Sequence, residues 1–361
     1  MPIDRPSFFH AGRGTATNAS PTRFNLNMAE ADGDWLDDQM MVDGGPAPLR
    51  TRVAIEKPKS ILARNTSPDI PFERSINPYR GCEHGCVYCY ARPTHAYHDL
   101  SPGLDFETRL FAKPDAAALL QEALSKPSYR AAPIAFGTNT DPYQPIERDW
   151  GITRACLELL CETNHPVTIT TKSDRVIRDI DILARMAAKG LAAVAVSITS
   201  LTPATHRSLE PRAPRPQKRL AALRALSAAG IPTHVMVAPI IPAITDHEIE
   251  AILAASAQNG AQTASFIPIR LPHEVSPLFR VWLDTHYPDR ASKVMHLIQS
   301  MRGGRDNDPA FTSRMRGTGV WADLIRTRFK IAAKKNGLNE RIITLRNDLF
   351  RPPQGDQYSL L

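Results

Sequence analysis

Three cysteines fall within eight residues, in the run Cys82-Glu83-His84-Gly85-Cys86-Val87-Tyr88-Cys89. Three thiolates with no fourth cysteine in reach can hold a [4Fe-4S] cluster and leave one iron open to bind and activate a small molecule. Spacings of three and two residues let a loop curl over one face of a cubane, each sulfur meeting a different iron. Gly81 and Gly85 flank the first two ligands, where the chain must turn tightly and come close to the cluster. Zinc is the competing metal, but a structural zinc takes four ligands, so His84 or His95 would have to complete the set. Three neighbouring cysteines in a reducing compartment could also be incidental.

Such a loop needs a frame. After it, short apolar runs alternate with amphipathic stretches: strands are predicted at 133–136, 167–170, 192–198, 233–238 and 264–267, with helices at 151–162, 177–188, 217–228 and 246–258. Gly190 and Gly230 sit where two of the helices should stop. Repeated strand–helix units predict a parallel sheet. A short strand at 75–77 makes six, too few for a closed eight-fold barrel. The predicted fold class is therefore α/β, a partial, laterally open (β/α)6 TIM-like barrel. Beyond about Leu271 the chain turns helical (279–285, 291–301, 320–335), with a break at Arg302-Gly303-Gly304-Arg305. Cys156 and Cys161, five apart in a predicted helix, suit buried free thiols better than ligands of a second cluster.

The cysteine loop resembles the CxxxCxΦC signature of the radical S-adenosylmethionine (radical SAM) enzymes, with Tyr88 at the aromatic position. In that superfamily the loop follows the first strand of a six-stranded partial barrel. The resemblance implies a [4Fe-4S] cluster on Cys82, Cys86 and Cys89, SAM as second cofactor, and a one-electron reductant such as flavodoxin or ferredoxin. It also implies the reaction: the open iron chelates SAM, and an electron from the reduced cluster breaks the 5′-carbon–sulfur bond to give a 5′-deoxyadenosyl radical. A non-catalytic iron–sulfur or zinc module is the alternative from a different class.

Within the superfamily the chain is similar to the branch containing spore photoproduct lyase, over about 75–268. The match is carried by Cys86-Val87-Tyr88-Cys89-Tyr90, Thr140-Asp141, Thr171-Lys172, Val196-Ser197-Ile198, Glu210-Pro211 with Lys218-Arg219, and Val237-Ala238-Pro239-Ile240. It implies Thr140 and Lys172 at the methionyl carboxylate of SAM, Ser197 at the ribose, and the Ala238 backbone edge at the adenine. Strand-end hydrogen bonding is the plain alternative for Thr140 and Ser197, and a surface lysine for Lys172. Tyr88 and Tyr90 match two tyrosines that relay a hydrogen atom in that branch; contact with adenine and simple packing are their alternatives. The branch's hydrogen-donating cysteine is replaced by Thr138, whose O–H cannot take over the role of a weak S–H bond, so repair by the same route is not expected. Asp141 is a candidate for the SAM ammonium, for substrate, or for a helix cap; Glu147 reads as a cap.

The chain has 361 residues, 42% of them hydrophobic, with 44 Lys and Arg against 37 Asp and Glu. Between Arg270 and Arg351 there are 16 basic and 8 acidic residues. That surplus permits a polyanionic partner, and nucleic acid is the preferred substrate class, with a protein or small molecule as the alternative. Arg302, Arg305, Arg314 and Arg316 could form a phosphate-gripping rim or a solvated loop. His95, Tyr97 and His98, following the cluster loop, could touch cluster, reductant or substrate, with exposed loop residues as the alternative. No apolar run has the length of a membrane span and no secretory pattern opens the chain, which reads as cytoplasmic. Three regions are expected: an N-terminal extension (1–70), partly irregular, with an acidic stretch from Glu30 to Asp38; a radical SAM core barrel (71–275); and a basic, mainly helical C-terminal region (276–361).

Overall fold

A computed structural model describes residues 12–18 and 49–353. The acidic stretch from Glu30 to Asp38, and most of the expected extension, lie outside the described residues. Ten strands occur in chain order: β1 (Arg52–Ile55), β2 (Leu62–Arg64), β3 (Arg74–Ile76), β4 (Tyr79–Arg80), β5 (Arg109–Ala112), β6 (Ile134–Phe136), β7 (Val167–Thr171), β8 (Ala192–Ser197), β9 (Thr233–Ile240) and β10 (Thr263–Pro268). Six of them run parallel in the order β10-β9-β8-β7-β6-β3, and β2 adds an antiparallel strand beyond β3. The two outermost strands of this sheet, β10 and β2, do not pair, so the sheet curls without closing.

Period-two patterning explains why these runs are strands. Val167, Ile169, Val194, Val196, Val235 and Val237 are buried in one core with Leu157, Leu160, Ile182, Leu183, Leu223 and Ile252 from the helices Ile152–Glu162, Ile180–Ala187, Pro216–Ala228 and Ile249–Gln258. The alternate residues Thr168, Thr170, Ala195, Met236 and Ala238 are only half-buried. A closed barrel fills that inner face with bulky branched side chains. Here small and polar groups leave room on it.

Gly190 and Gly230 take positive φ (71° and 74°) directly after the helices that end at Ala187 and Ala228. The C-terminal helices run over Val275–His286, Ala291–Ser300 and Gly319–Lys335. The last packs on the barrel through Phe329, whose ring lies 4.6 Å from that of Phe266 on β10. Just beyond it, the Asn339 side chain accepts from the Ala264 N–H (2.8 Å) and donates to the Ala264 carbonyl (3.0 Å), pairing with the bare edge of β10 as a strand would. No helix among the described residues is long and apolar enough to cross a membrane.

Two features depart from expectation. The segment at 52–64, assigned to an irregular extension, supplies β1 and β2, each hydrogen-bonded into the body. A second, three-stranded sheet in the order β1-β5-β4 stands beside the barrel, and its β4 leads directly into the cysteine loop.

Candidate functional site

The cysteine loop leaves β4 at Arg80 and turns at once. Gly81 and Gly85 both take φ of +69°, a conformation that strains any residue with a Cβ. A Cβ on Gly81 would also meet Leu110 Cδ2 at 2.5 Å and the Phe106 carbonyl at 2.8 Å, and one on Gly85 would lie 3.0 Å from Glu107 Oε2. The tight turns are as expected, but the close approach is to the segment at 106–110.

Side chains and backbone from several segments hold this loop. Gln144, fully buried, donates to the Gly81 carbonyl (3.1 Å) and accepts from the Glu83 N–H (3.0 Å), gripping the backbone on both sides of Cys82. The Cys82 N–H donates to the Phe106 carbonyl at 2.9 Å. Arg92 donates to the Cys86 carbonyl (2.9 Å) and pairs with Glu107 at 2.6 Å, both side chains wholly buried. Glu107 accepts further from the Gly14 N–H (2.9 Å) and the Thr15 hydroxyl (3.1 Å), which straps the N-terminal segment at 13–16 against the loop. Removing one member of a buried pair costs about 3–5 kcal/mol, so this frame is stiff.

Cys82 and Cys86 are buried and Cys89 is partly exposed. Burial, with the Glu210 charge adding to it, pushes the Cys86 thiol up to about 12 while Lys172 opposes; burial raises Cys82 well above its ordinary value too. Such thiols become ligands when metal charge replaces their protons. Among the described residues no three His, Cys, Asp or Glu side chains gather as the ligands of a single metal ion. Three soft thiol donors on one short loop are the donor set an iron–sulfur cluster takes. His84 turns its Nδ1 to Asp141 (3.4 Å), and His95 is buried with its Nε2 at the Arg109 carbonyl (2.8 Å); neither gathers with two further His, Cys, Asp or Glu side chains of the described residues around one ion. His95 is wholly buried, and burial lowers it to about 4, against the exposed-loop alternative.

Around the loop stand the C-terminal ends of the parallel strands. Tyr88, buried, donates its hydroxyl to Glu210. Thr199 Oγ1 lies 3.2 Å from that hydroxyl, 2.7 Å from Glu210 Oε1 and 3.0 Å from the Ala238 carbonyl. Arg219 joins Glu210 to the Ser197 carbonyl (2.9 Å). Lys172 Nζ sits 5.8 Å from the centre of the Tyr88 ring, and no carboxylate among the described residues lies within 4 Å of it. Burial would raise the Glu210 carboxyl, but Arg219 above all, with His206 and Lys172, holds it well below the usual range. Tyr88, Lys172, Ser197 and Ala238 are thus brought to one place. The Ser197 hydroxyl, at the strand end, makes no hydrogen bond to another described residue. Glu210, Arg219 and Thr199, which link them, were missed as site residues. The Glu210-Pro211 and Arg219 pairing in the resemblance was the available signal; Thr199 carried none.

The remaining predicted residues stand apart from that cluster of contacts. Thr140 is buried and donates its hydroxyl to the Tyr79 carbonyl (2.9 Å), the strand-end alternative. Asp141 accepts from the Thr171 hydroxyl (2.7 Å), the Lys172 N–H (2.7 Å) and the Tyr143 N–H (2.9 Å), with His84 at 3.4 Å. Burial would raise its carboxyl, yet His84 and these donors hold it down at about 2. Asp141 ties β7 to the cysteine loop, contacts that fit a positioning role. Glu147 caps the helix Ile152–Glu162 by accepting from the Thr153 N–H at 3.1 Å, as expected. Tyr90 is half-exposed and donates its hydroxyl to the Thr138 carbonyl, which brings together the two positions aligned with the hydrogen relay. Cys156 is buried and free, Cys161 free but partly exposed.

The arginine rim is corrected. Arg302 is buried, donating to the carbonyls of Pro268, Ile269, Ser313 and Arg314, and Arg314 forks onto Asp69 (2.6 and 2.7 Å). These arginines hold chain segments together.

A partial parallel barrel with three thiols on one loop at its C-terminal mouth defines a class, and the sequence comparisons agree. The Radical SAM superfamily pattern matches residues 76–255. The uncharacterized protein Rv2578c of Mycobacterium tuberculosis is 38% identical over 232 residues, 64% of this chain and 68% of that protein. The uncharacterized protein MJ0683 of Methanocaldococcus jannaschii is 27% identical over 215 residues, 59% of this chain and 76% of that protein. The chain belongs to the radical SAM superfamily and is a radical SAM enzyme. Its fold is like that of spore photoproduct lyase complexed with dinucleoside spore photoproduct (TM-score 0.57, 16% identity, 85% of this chain and 93% of that one). A lyase variant with bound AdoMet and dinucleoside spore photoproduct gives a TM-score of 0.55 at 17% identity, over the same shares of the two chains. The family implies a [4Fe-4S] cluster and SAM.

Proposed function

We propose that Cys82, Cys86 and Cys89 hold a [4Fe-4S] cluster and that SAM binds beside it between Tyr88, Lys172, Ser197 and the Ala238 edge, with Thr140 shaping the wall. When bound, the cluster supplies the electron that cleaves SAM to methionine and a 5′-deoxyadenosyl radical, which takes hydrogen from the substrate. The chain's own residues bind and orient. Lys172, with no carboxylate partner, pairs with the methionyl carboxylate; the free Ser197 hydroxyl meets the ribose; Glu210, held ionised by Arg219, fixes Tyr88 through its hydroxyl. Tyr90 stands at the edge of the site, where substrate would meet it. The substrate class favoured is nucleic acid, on the basic balance of 270–351 and the likeness to the lyase branch; a one-electron donor such as flavodoxin or ferredoxin supplies the reductant.

The observation that carries this reading is the pair of buried thiols, Cys82 and Cys86, with Cys89 beside them, on a loop gripped from both sides at the strand ends. Anaerobic reconstitution with iron and sulfide tests it. Wild type should bind about four irons and four sulfides and, once reduced, release 5′-deoxyadenosine from SAM; Cys86→Ala should do neither. A wild-type chain that stays colourless, or binds one zinc instead, ends the proposal.

A further inference from the structure

Two cations stand over the two tyrosines of the cysteine loop. Lys172 faces the Tyr88 ring, and the Arg270 guanidinium faces the Tyr90 ring at 5.7 Å. Arg270 lies two residues past β10, while Tyr90 is bonded to Thr138 just past β6. Tyr90 therefore spans the mouth of the barrel from one strand end to another, with Arg270 at its far side.

Arg270 is half-buried, yet its only hydrogen bond among the described residues runs from Nη1 to the Met315 sulfur at 3.2 Å, a weak acceptor. Its Nε is buried with no partner among the described residues. The nearby carboxylates are engaged elsewhere: Asp69 by the Arg314 fork, Asp308 by the Ser313 hydroxyl and the Ala310 N–H. Burial, with the charge of Arg314 beside it, lowers the Arg270 pKa, the sign of a cation lacking its anion. A guanidinium withdrawn from water without an acceptor is costly unless a ligand supplies one.

We propose that Arg270 is the anchor for a phosphate group of the substrate, holding it by a two-pronged hydrogen bond at the barrel mouth beside Tyr90. The planar fork of arginine matches phosphate oxygens, and the ring beneath keeps the fork flat. A strand phosphodiester and the phosphate of a free nucleotide share this chemistry; the basic surplus of 270–351 favours the strand. The inference deepens the reading of the site given above and rests on it for the word substrate.

The test is equilibrium binding to the reconstituted full chain by fluorescence anisotropy. Labelled single-stranded and duplex DNA and RNA oligonucleotides form one arm, and competition by thymidine and uridine monophosphates the other. Arg270→Gln should weaken binding about tenfold and lower the slope of log K against log salt by about one. Arg270→Lys, which keeps the charge and loses the fork, should fall between. Arg305→Gln, an exposed arginine paired with Asp308, should change affinity less than twofold. Iron content and melting temperature show that each variant is folded; a misfolded Arg270→Gln leaves Arg270→Lys to decide. Wild type that binds no phosphate ligand, or variants that bind as wild type does, overturns the proposal. SAM cleavage by wild type is scored separately, so loss of cleavage with phosphate binding intact would sink the proposed function and leave the anion site standing.

Discussion

Asp141→Asn separates a carboxylate that binds a ligand from one that holds the frame. In the folded chain its carboxyl is held at about 2, against an ordinary 3.8. At roughly 1.4 kcal/mol per unit that difference is on the order of 2 kcal/mol of stability. The amide adds a second cost. One of its faces must present an NH2 group to the Lys172 N–H or to the Thr171 hydroxyl and Tyr143 N–H, leaving a buried donor unmatched at about 1–3 kcal/mol. The sum, roughly 3–5 kcal/mol by these principles, corresponds to a fall in melting temperature of at least about 5 °C. Because the folded value is depressed, the stabilisation is complete above the ordinary carboxylate pKa and is lost as pH falls towards 2. The gap between wild type and variant should therefore be widest near neutrality and shrink below pH 4. Thermal unfolding of the apo chain from pH 7 to pH 3, with SAM affinity measured on the reconstituted protein at pH 7, checks both. A variant that melts with wild type at pH 7 yet binds SAM many-fold more weakly would refute the reasoning and return Asp141 to the ligand.

Other outcomes follow from the same geometry. Glu210→Ala leaves the buried Arg219 without its carboxylate and the Tyr88 hydroxyl without its acceptor, and calorimetry should show a loss of about 3–5 kcal/mol. Lys172→Met should weaken SAM binding at least about tenfold, since a charge-assisted hydrogen bond is worth about 1.5–3 kcal/mol, while the melting temperature moves little. Gly85→Ala forces a side chain into left-handed backbone 3.0 Å from Glu107 Oε2 and should lower iron uptake on reconstitution, at a cost of about 1–3 kcal/mol; normal loading would count against the frame described.

The central parallel strands β7, β8 and β9 were legible because they put Val or Ile on one face and mostly small or polar residues on the other, a pattern written in consecutive residues. The small sheet was not. Its strand Tyr79–Arg80 has two residues and no period, and its partner Arg109–Ala112 is short and follows directly on a one-turn helix, Asp105–Thr108. The cysteines announced themselves by type and spacing. The polar groups that hold them did not, because Gln144 meets the loop from 61 residues away and Arg219 reaches Ser197 across 22. The burial of His95 and Arg302 was hidden for the same reason: a charged or polar residue in a loop looks solvated until the segment that covers it is known.

Asn339 has a consequence for how the barrel opens. A sheet that stops short of closure presents a row of unmet amides, and such a row invites another chain to zip onto it. On β10 a single amide side chain answers for the Ala264 peptide, and at the other rim β2 lies against β3. The outer edge of β2 pairs with no other described strand, so no ladder of backbone bonds joins the two rims of the slit. A bulky guest can enter sideways without breaking a backbone bond to do so.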